Sequence, residues 1–125
     1  MSWPIQSYRD LLAWQKGMDL FVAVTDLCRK LSPSDRMVFE SQIRRAALSV
    51  TLNLSEGHVR RYLGEYTRSV STARGEHAEV ETGLIAIQRT VPALISEAKS
   101  CLALAEEVGR LLTALYASLR RRRDK

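Results

Sequence analysis

The sequence predicts an all-α chain folded as an antiparallel, up-down-up-down four-helix bundle, and three observations carry that reading. Apolar residues recur at alternating steps of three and four along most of the chain, which is the rhythm of a helix face and not of a strand. Prolines are few, three in 125 residues, and two of them stand where the rhythm breaks. The connections are short, and short connections make consecutive helices antiparallel neighbours.

The helices expected are roughly residues 8–31, 34–58, 62–90 and 92–121. In the first, Leu11, Trp14, Met18, Phe21, Thr25 and Cys28 form one seam, with Leu20, Val24, Leu27 and Leu31 on a neighbouring face. The second opens at "LSPSD", where Ser32 can cap, Pro33 suits the first helical position and Asp35 complements the helix dipole. Its break is expected around "GHVRRYLG", with Gly57 and Gly64 on either side. The third carries Tyr66, Val70, Ala73, His77, Val80, Leu84 and Ile87 along one side, and Pro92 ends it with Thr90 or Val91 just outside. The fourth keeps the rhythm through Leu94, Ala98, Cys101, Ala105, Val108, Leu112, Leu115 and Leu119.

The second helix is two-faced. At about 100° per residue, Phe39, Ile43, Ala46, Val50, Leu54 and Gly57 fall together, while Met37, Leu48, Leu52 and Val59 cluster almost opposite. A bundle helix buries one face in its own core, so a second apolar face is expected to meet another subunit. Gln42, Arg45, Ser49, Asn53 and Glu56 line a polar strip beside the core face, and Ala46, Ala47 and Gly57 permit close approach there.

Composition bounds the rest. With 46% hydrophobic and 26% charged residues, the chain reads as one globular domain over residues 1–119 followed by a basic tail at 120–125. Arg120 to Arg123 supply four of the five net positive charges, so the basic balance describes that tail more than a basic surface. No apolar run approaches the roughly 20 residues of a membrane helix, and the N-terminus lacks a secretory pattern, so no membrane contact and a cytoplasmic location are expected. Cys28 and Cys101 lack the close spacing of a metal or redox motif and read as small buried hydrophobes.

The run "QIRRAALSVTLNLSEGHVRR" (residues 42–61) resembles the signature of the four-helix-bundle proteins of the ribosomal RNA (23S) intervening-sequence family. "YRDLLAWQKGMDLF" is similar to that family's opening helix and "EYTRSVSTARGEHAEVETGL" to its third. The positions that match the pattern are Gln42, Arg44, Arg45, Asn53, Glu56, Gly57, Arg60, Gly75, Glu79 and Glu81, with Ser55 where the pattern has Ala and Glu76 where it has a small residue. The resemblance implies a ring-like homopentamer. It also implies kinship with accessory proteins of diversity-generating retroelements, which bind a reverse transcriptase and nucleic acid through a basic barrel.

Candidate sites follow from charge. Arg120, Arg121, Arg122 and Arg123 can neutralise phosphates of RNA or DNA, or simply suit the C-terminal helix dipole. Arg60 and Arg61, beside His58, form a second phosphate candidate that a ring would multiply. Arg44 and Arg45 read as interface residues beside Met37, Leu48, Leu52 and Val59, with Glu79 or Glu81 as carboxylate partners. Asn53 and Glu56 are expected to satisfy backbone groups in the following loop. A carboxylate-bridged metal site needs Glu-x-x-His on two helices, but Arg74 and Ser55 stand three residues before His77 and His58. His77 therefore reads as a hydrogen-bonded core residue, and no catalytic residue, metal or cofactor is expected. The function expected is a non-catalytic oligomer that binds RNA or DNA as an adaptor; the alternative is a protein-only scaffold.

Overall fold

A computed structural model describes residues 5–60 and 62–123. A short 3-10 turn at Tyr8–Asp10 leads into α1 (Leu12–Arg29), followed by α2 (Pro33–Arg60), α3 (Leu63–Thr90) and α4 (Ile95–Arg123). No strand occurs among the described residues. α1 packs on α2, α2 on α3, α3 on α4 and α4 on α1, so the four helices close a square around one core.

Local chemistry sets the boundaries. The Ser7 hydroxyl accepts from the Arg9 N–H while the Asp10 carboxylate accepts from the Ser7 and Gln6 N–H groups, a reciprocal cap that holds the 3-10 turn and delays α1 to Leu12. Ser32 caps α2 as expected, its Oγ accepting from the Asp35 N–H at 3.3 Å with Pro33 as the first helical residue. At Pro92 the chain makes one 3-10 turn, Pro92–Leu94, before α4 begins. The break between α2 and α3 falls between Arg60 and Leu63, with Gly57 and Gly64 on either side as expected, although Gly57 itself lies inside α2 and Gly64 in the first turn of α3.

The core is built from one face of each helix. Leu20, Val24 and Leu27 of α1 meet Ile43, Ala46, Val50 and Leu54 of α2, Val70, Val80, Leu84 and Ile87 of α3, and Ala98, Ala105, Val108 and Leu112 of α4. For α1 this corrects the expected seam in part, since its ends, Leu11 and Cys28, are buried but its middle is not. The Leu20–Val24–Leu27–Leu31 face points inward, whereas Trp14, Met18, Phe21 and Thr25 lie half-buried along its flank. The rhythm alone is blind to the difference, because both faces of α1 are apolar and only the neighbouring helices choose between them.

Small residues set how closely the helices approach. A Cβ on Gly57 would stand 2.6 Å from the Ser69 Cβ and 3.1 Å from Tyr66 Cδ1, so the α2 backbone lies directly against side chains of α3 there. At the other end of the same pair, a Cβ on Gly83 would stand 2.9 Å from Ile43 Cδ1. Gly17 of α1 and Thr51 of α2 meet in the same way, and the buried Thr51 hydroxyl is satisfied by the Leu48 carbonyl at 2.8 Å. Gly75 differs, with no atom within 4 Å of its notional Cβ.

Gly57→Ala is therefore expected to cost about 1–3 kcal/mol by overpacking, despite the better helix propensity of alanine, and Ser69→Gly in the same chain should restore part of it. Gly75→Ala should instead stabilise by about 0.5–1 kcal/mol. Thermal or urea unfolding of the three variants checks both signs.

Candidate nucleic-acid interface

The residues singled out by sequence fall into three places. At one end of the bundle the last turn of α2, the first turn of α3, the last turns of α4 and the segment before α1 converge. They enclose a cleft of about 800 Å³ lined by Ile5, Tyr8, His58, Val59, Tyr62, Tyr66, Leu115 and Arg122 among others. The two basic candidates, far apart in sequence, thus share one end of the fold. Arg61, Asp124 and Lys125 lie outside the described residues.

The arginines are not equivalent. Arg60 is tied to Glu56 one turn back at 3.3 Å, an exposed pair that competes weakly with any ligand. Arg120 donates to the Tyr116 hydroxyl at 3.1 Å and lies over its ring at 5.8 Å, while Arg74 of α3 covers the same ring at 4.7 Å. Arg121, Arg122 and Arg123 are exposed and meet no carboxylate within ion-pair distance among the described residues. Residues 120–123 continue α4 and do not leave it, so the basic run begins as a helical turn projecting past Leu119, the last buried residue. Arg122 also faces Tyr66, where burial raises the hydroxyl above its ordinary range and the guanidinium opposes that rise.

The outer face of α2 is the second place. Met37 (89%), Leu52 (56%) and Val59 (62%) are exposed in the single chain, with Leu48 at the margin (36%). Val59 doubles as a wall of the end cleft. Exposed apolar residues missed by the sequence reading extend this exterior onto other helices: Leu12 and Val22 of α1, Ile85 of α3 and Ile95 of α4.

The α2–α3 and α3–α4 flanks are the third. Arg45 pairs with Glu76 at 3.8 Å and Glu79 at 3.7 Å, and Gln42 lies in the same shallow groove as Glu79. Arg44 behaves otherwise than expected. It turns toward α1, its Nε donating to Thr25 Oγ1 at 3.3 Å and its guanidinium over Phe21 at 6.0 Å, because its position faces α1 and not the acidic α3. Glu81 likewise serves no arginine, standing 3.8 Å from His77 Nδ1. His77 is buried, its Nε2 donating to the Ala105 carbonyl at 2.6 Å against Gly109, the one residue type that leaves room for the ring. Asn53 and Glu56 do not reach the following loop: Asn53 Nδ2 donates back to the Ser49 carbonyl at 2.8 Å and Glu56 holds Arg60. Among the described residues no cluster of three or more His, Cys, Asp or Glu is placed to hold a metal, and no helix is long and apolar enough to cross a membrane.

A family model described as 23S rRNA-intervening sequence protein matches residues 9–114. The chain belongs to this family. Its fold is shared with a protein of unknown function from the S23 ribosomal protein family of Bacteroides thetaiotaomicron, over 84% of this chain and 98% of that one. The TM-score is 0.76 and the identity 20%, a likeness of fold alone. No curated protein matches the chain. Of the positions matching the family's pattern, Gly57 and Arg45 hold α2 to α3, Glu79 receives Arg45, and Gly75 remains exposed.

The sequence reading placed Tyr66 on the inward face of α3 but gave no role to Tyr8, Tyr62 or Tyr116. Three of the four tyrosines line the end cleft, and the fourth, Tyr116, lies beneath Arg74 and Arg120. Their positions at the starts of α1 and α3 and the end of α4 were the signal available.

Burial raises Cys28 to about 11 and lifts Cys101 as well, whose Sγ donates to the Ala23 carbonyl at 3.6 Å. At pH 8 both groups are thiols and sterically covered, so neither should react with an aromatic disulfide reagent in the native protein, and both should react in denaturant. Rapid native labelling would contradict the packing of α1 on α4.

Proposed function

We propose that the chain is a non-catalytic, homo-oligomeric adaptor in the cytoplasm that binds RNA or DNA electrostatically through the basic end of the bundle. The observation that carries this is the convergence of the α2 and α4 ends on one cleft, with Arg121, Arg122 and Arg123 meeting no internal carboxylate among the described residues. Cations without carboxylate partners at one end are available to displace counterions from a phosphate backbone. A ring would concentrate them further, since each added copy contributes to the same field.

The helices run antiparallel in this reading. Along α2 and α3 the contacts pair Gly57 with Ser69, Arg45 with Glu79 and Ile43 with Gly83, rising on one helix as they fall on the other. The ring, of five subunits as the family resemblance implies, is supported by the outer face of α2, where Met37, Leu48, Leu52 and Val59 expose apolar surface. Arg44 and Arg45 flank that face. A reverse transcriptase or other protein partner would dock on the assembled ring. The second reading, a protein-only scaffold, is favoured by the commitment of Arg45 to Glu76 and Glu79 and of Arg60 to Glu56, which engages those cations inside the chain.

Binding to a structured RNA and to duplex DNA across a salt titration tests the adaptor reading. Affinity should fall linearly with log salt, and replacing Arg121, Arg122 and Arg123 together by Gln should flatten the slope by roughly 0.9 for each duplex phosphate that is no longer neutralised. No binding at low salt by either protein leaves the scaffold. For the assembly, Leu48→Glu with Leu52→Glu should reduce the mass seen by light scattering while far-UV circular dichroism stays helical; an unchanged mass places the interface elsewhere.

A further inference from the structure

Electrostatic attraction alone does not account for the shape and lining of the end cleft. Tyr62 stands at the start of α3 and is 70% exposed. The other aromatic rings of the cleft already have partners: Tyr8 meets Trp14 edge-on at 5.4 Å, and His58 meets Tyr66 edge-on at 5.7 Å. Tyr62 has no ring or cation against it among the described residues. Among those residues no carboxylate lines the cleft, and Arg122 is the arginine that does. Of the acids on the flanking turns, Asp10 holds the Ser7 and Gln6 N–H groups, Glu56 holds Arg60, and Glu65 in the first turn of α3 is not part of the cleft lining.

An open aromatic face and a guanidinium lining one recess, with no carboxylate among the described lining residues, suit a planar π-system joined to a phosphate. A volume of about 800 Å³ lies within the ~300–1,000 Å³ range of small-ligand pockets, and stacking on a tyrosine ring requires a base whose face is free, as it is in an unpaired strand.

We propose that the cleft binds single-stranded nucleic acid, an unpaired base stacking on Tyr62 and a backbone phosphate seated against Arg122. The partly buried Tyr66 and Tyr8 form the wall that limits how far the base enters. This assignment rests on the nucleic-acid reading above and narrows it from any phosphate backbone to strands with exposed bases, such as loops and ends.

The test uses the full chain in its native assembly, with fluorescent ten-residue oligothymidine and oligouridine and a ten-base-pair duplex as probes. Both single strands should bind at least tenfold more tightly than the duplex. Tyr62→Ala should weaken single-strand binding roughly tenfold, as expected for one stacked base, without altering the salt slope, and Tyr62→Phe should retain it. Arg122→Gln should flatten the slope by about 0.7. Equal affinity for both strands assigns recognition to base and phosphate; preference for oligouridine adds the ribose hydroxyl, and either supports the site.

Wild-type binding by Tyr62→Ala, or a duplex held as tightly as a single strand, would overturn the cleft assignment while leaving the electrostatic adaptor intact. Absence of any nucleic-acid binding at low salt removes both. A Tyr62→Ala variant whose assembly mass changes while its binding does not makes the cleft a subunit contact and also overturns the proposal.

Discussion

The close contact between α2 and α3 is the constraint on which the rest of the molecule depends. With Gly57 against Ser69 and Ile43 against Gly83, both ends of the pair are pinned by a glycine facing a side chain, and the polar flanks of the two helices come into register. Arg45 then finds Glu76 and Glu79, and the α2 terminus arrives beside Tyr66, where His58 packs edge-on. The Coulombic term is secondary: Arg45 is more than half exposed, and exposed pairs contribute little. Steric closeness sets the geometry, and the charges follow it.

The centre of the square combines this tight approach with side chains of mixed size. Ala46, Ala73, Ala98 and Ala105 are fully buried among larger residues such as Leu20, Leu54 and Leu84, so small and large side chains alternate in the core, and His77 fits only because Gly109 faces it. One polar ring in such a core is tolerated because its Nε2–H is satisfied by the Ala105 carbonyl. The hydroxyls of Thr51 and Thr67 are likewise returned to their own helix backbones.

What could be read from the sequence were features determined within one helix. The Ser32–Pro33–Asp35 start, the inward face of α3 and the two-sided character of α2 are each written in a local pattern, and the structure places them accordingly. Features that depend on which helix lies opposite were not legible. Arg44 and Arg45 are adjacent, yet one turns to α1 and the other to α3, a choice made by about 100° of rotation and by the neighbours met there. The glycines flanked the α2–α3 break as expected, but the contact Gly57 makes was hidden for the same reason. Glycine signals a break when read alone, but at position 57 it answers to Ser69 on another helix. The end cleft draws on residues from Ile5 to Arg122, so no window of sequence contains it.

That Ile5 and Arg122 wall the same cleft also bears on how the protein can be handled. Ile5 and the basic turn of α4 thus meet at one end of the bundle, next to Tyr62. An affinity tag, a fluorophore or a fused enzyme at either terminus is therefore separated from the cleft wall by only a few residues of sequence, whereas the Ser32 and Pro92 corners line no part of it. A label placed at those corners would report on the molecule without crowding its basic end.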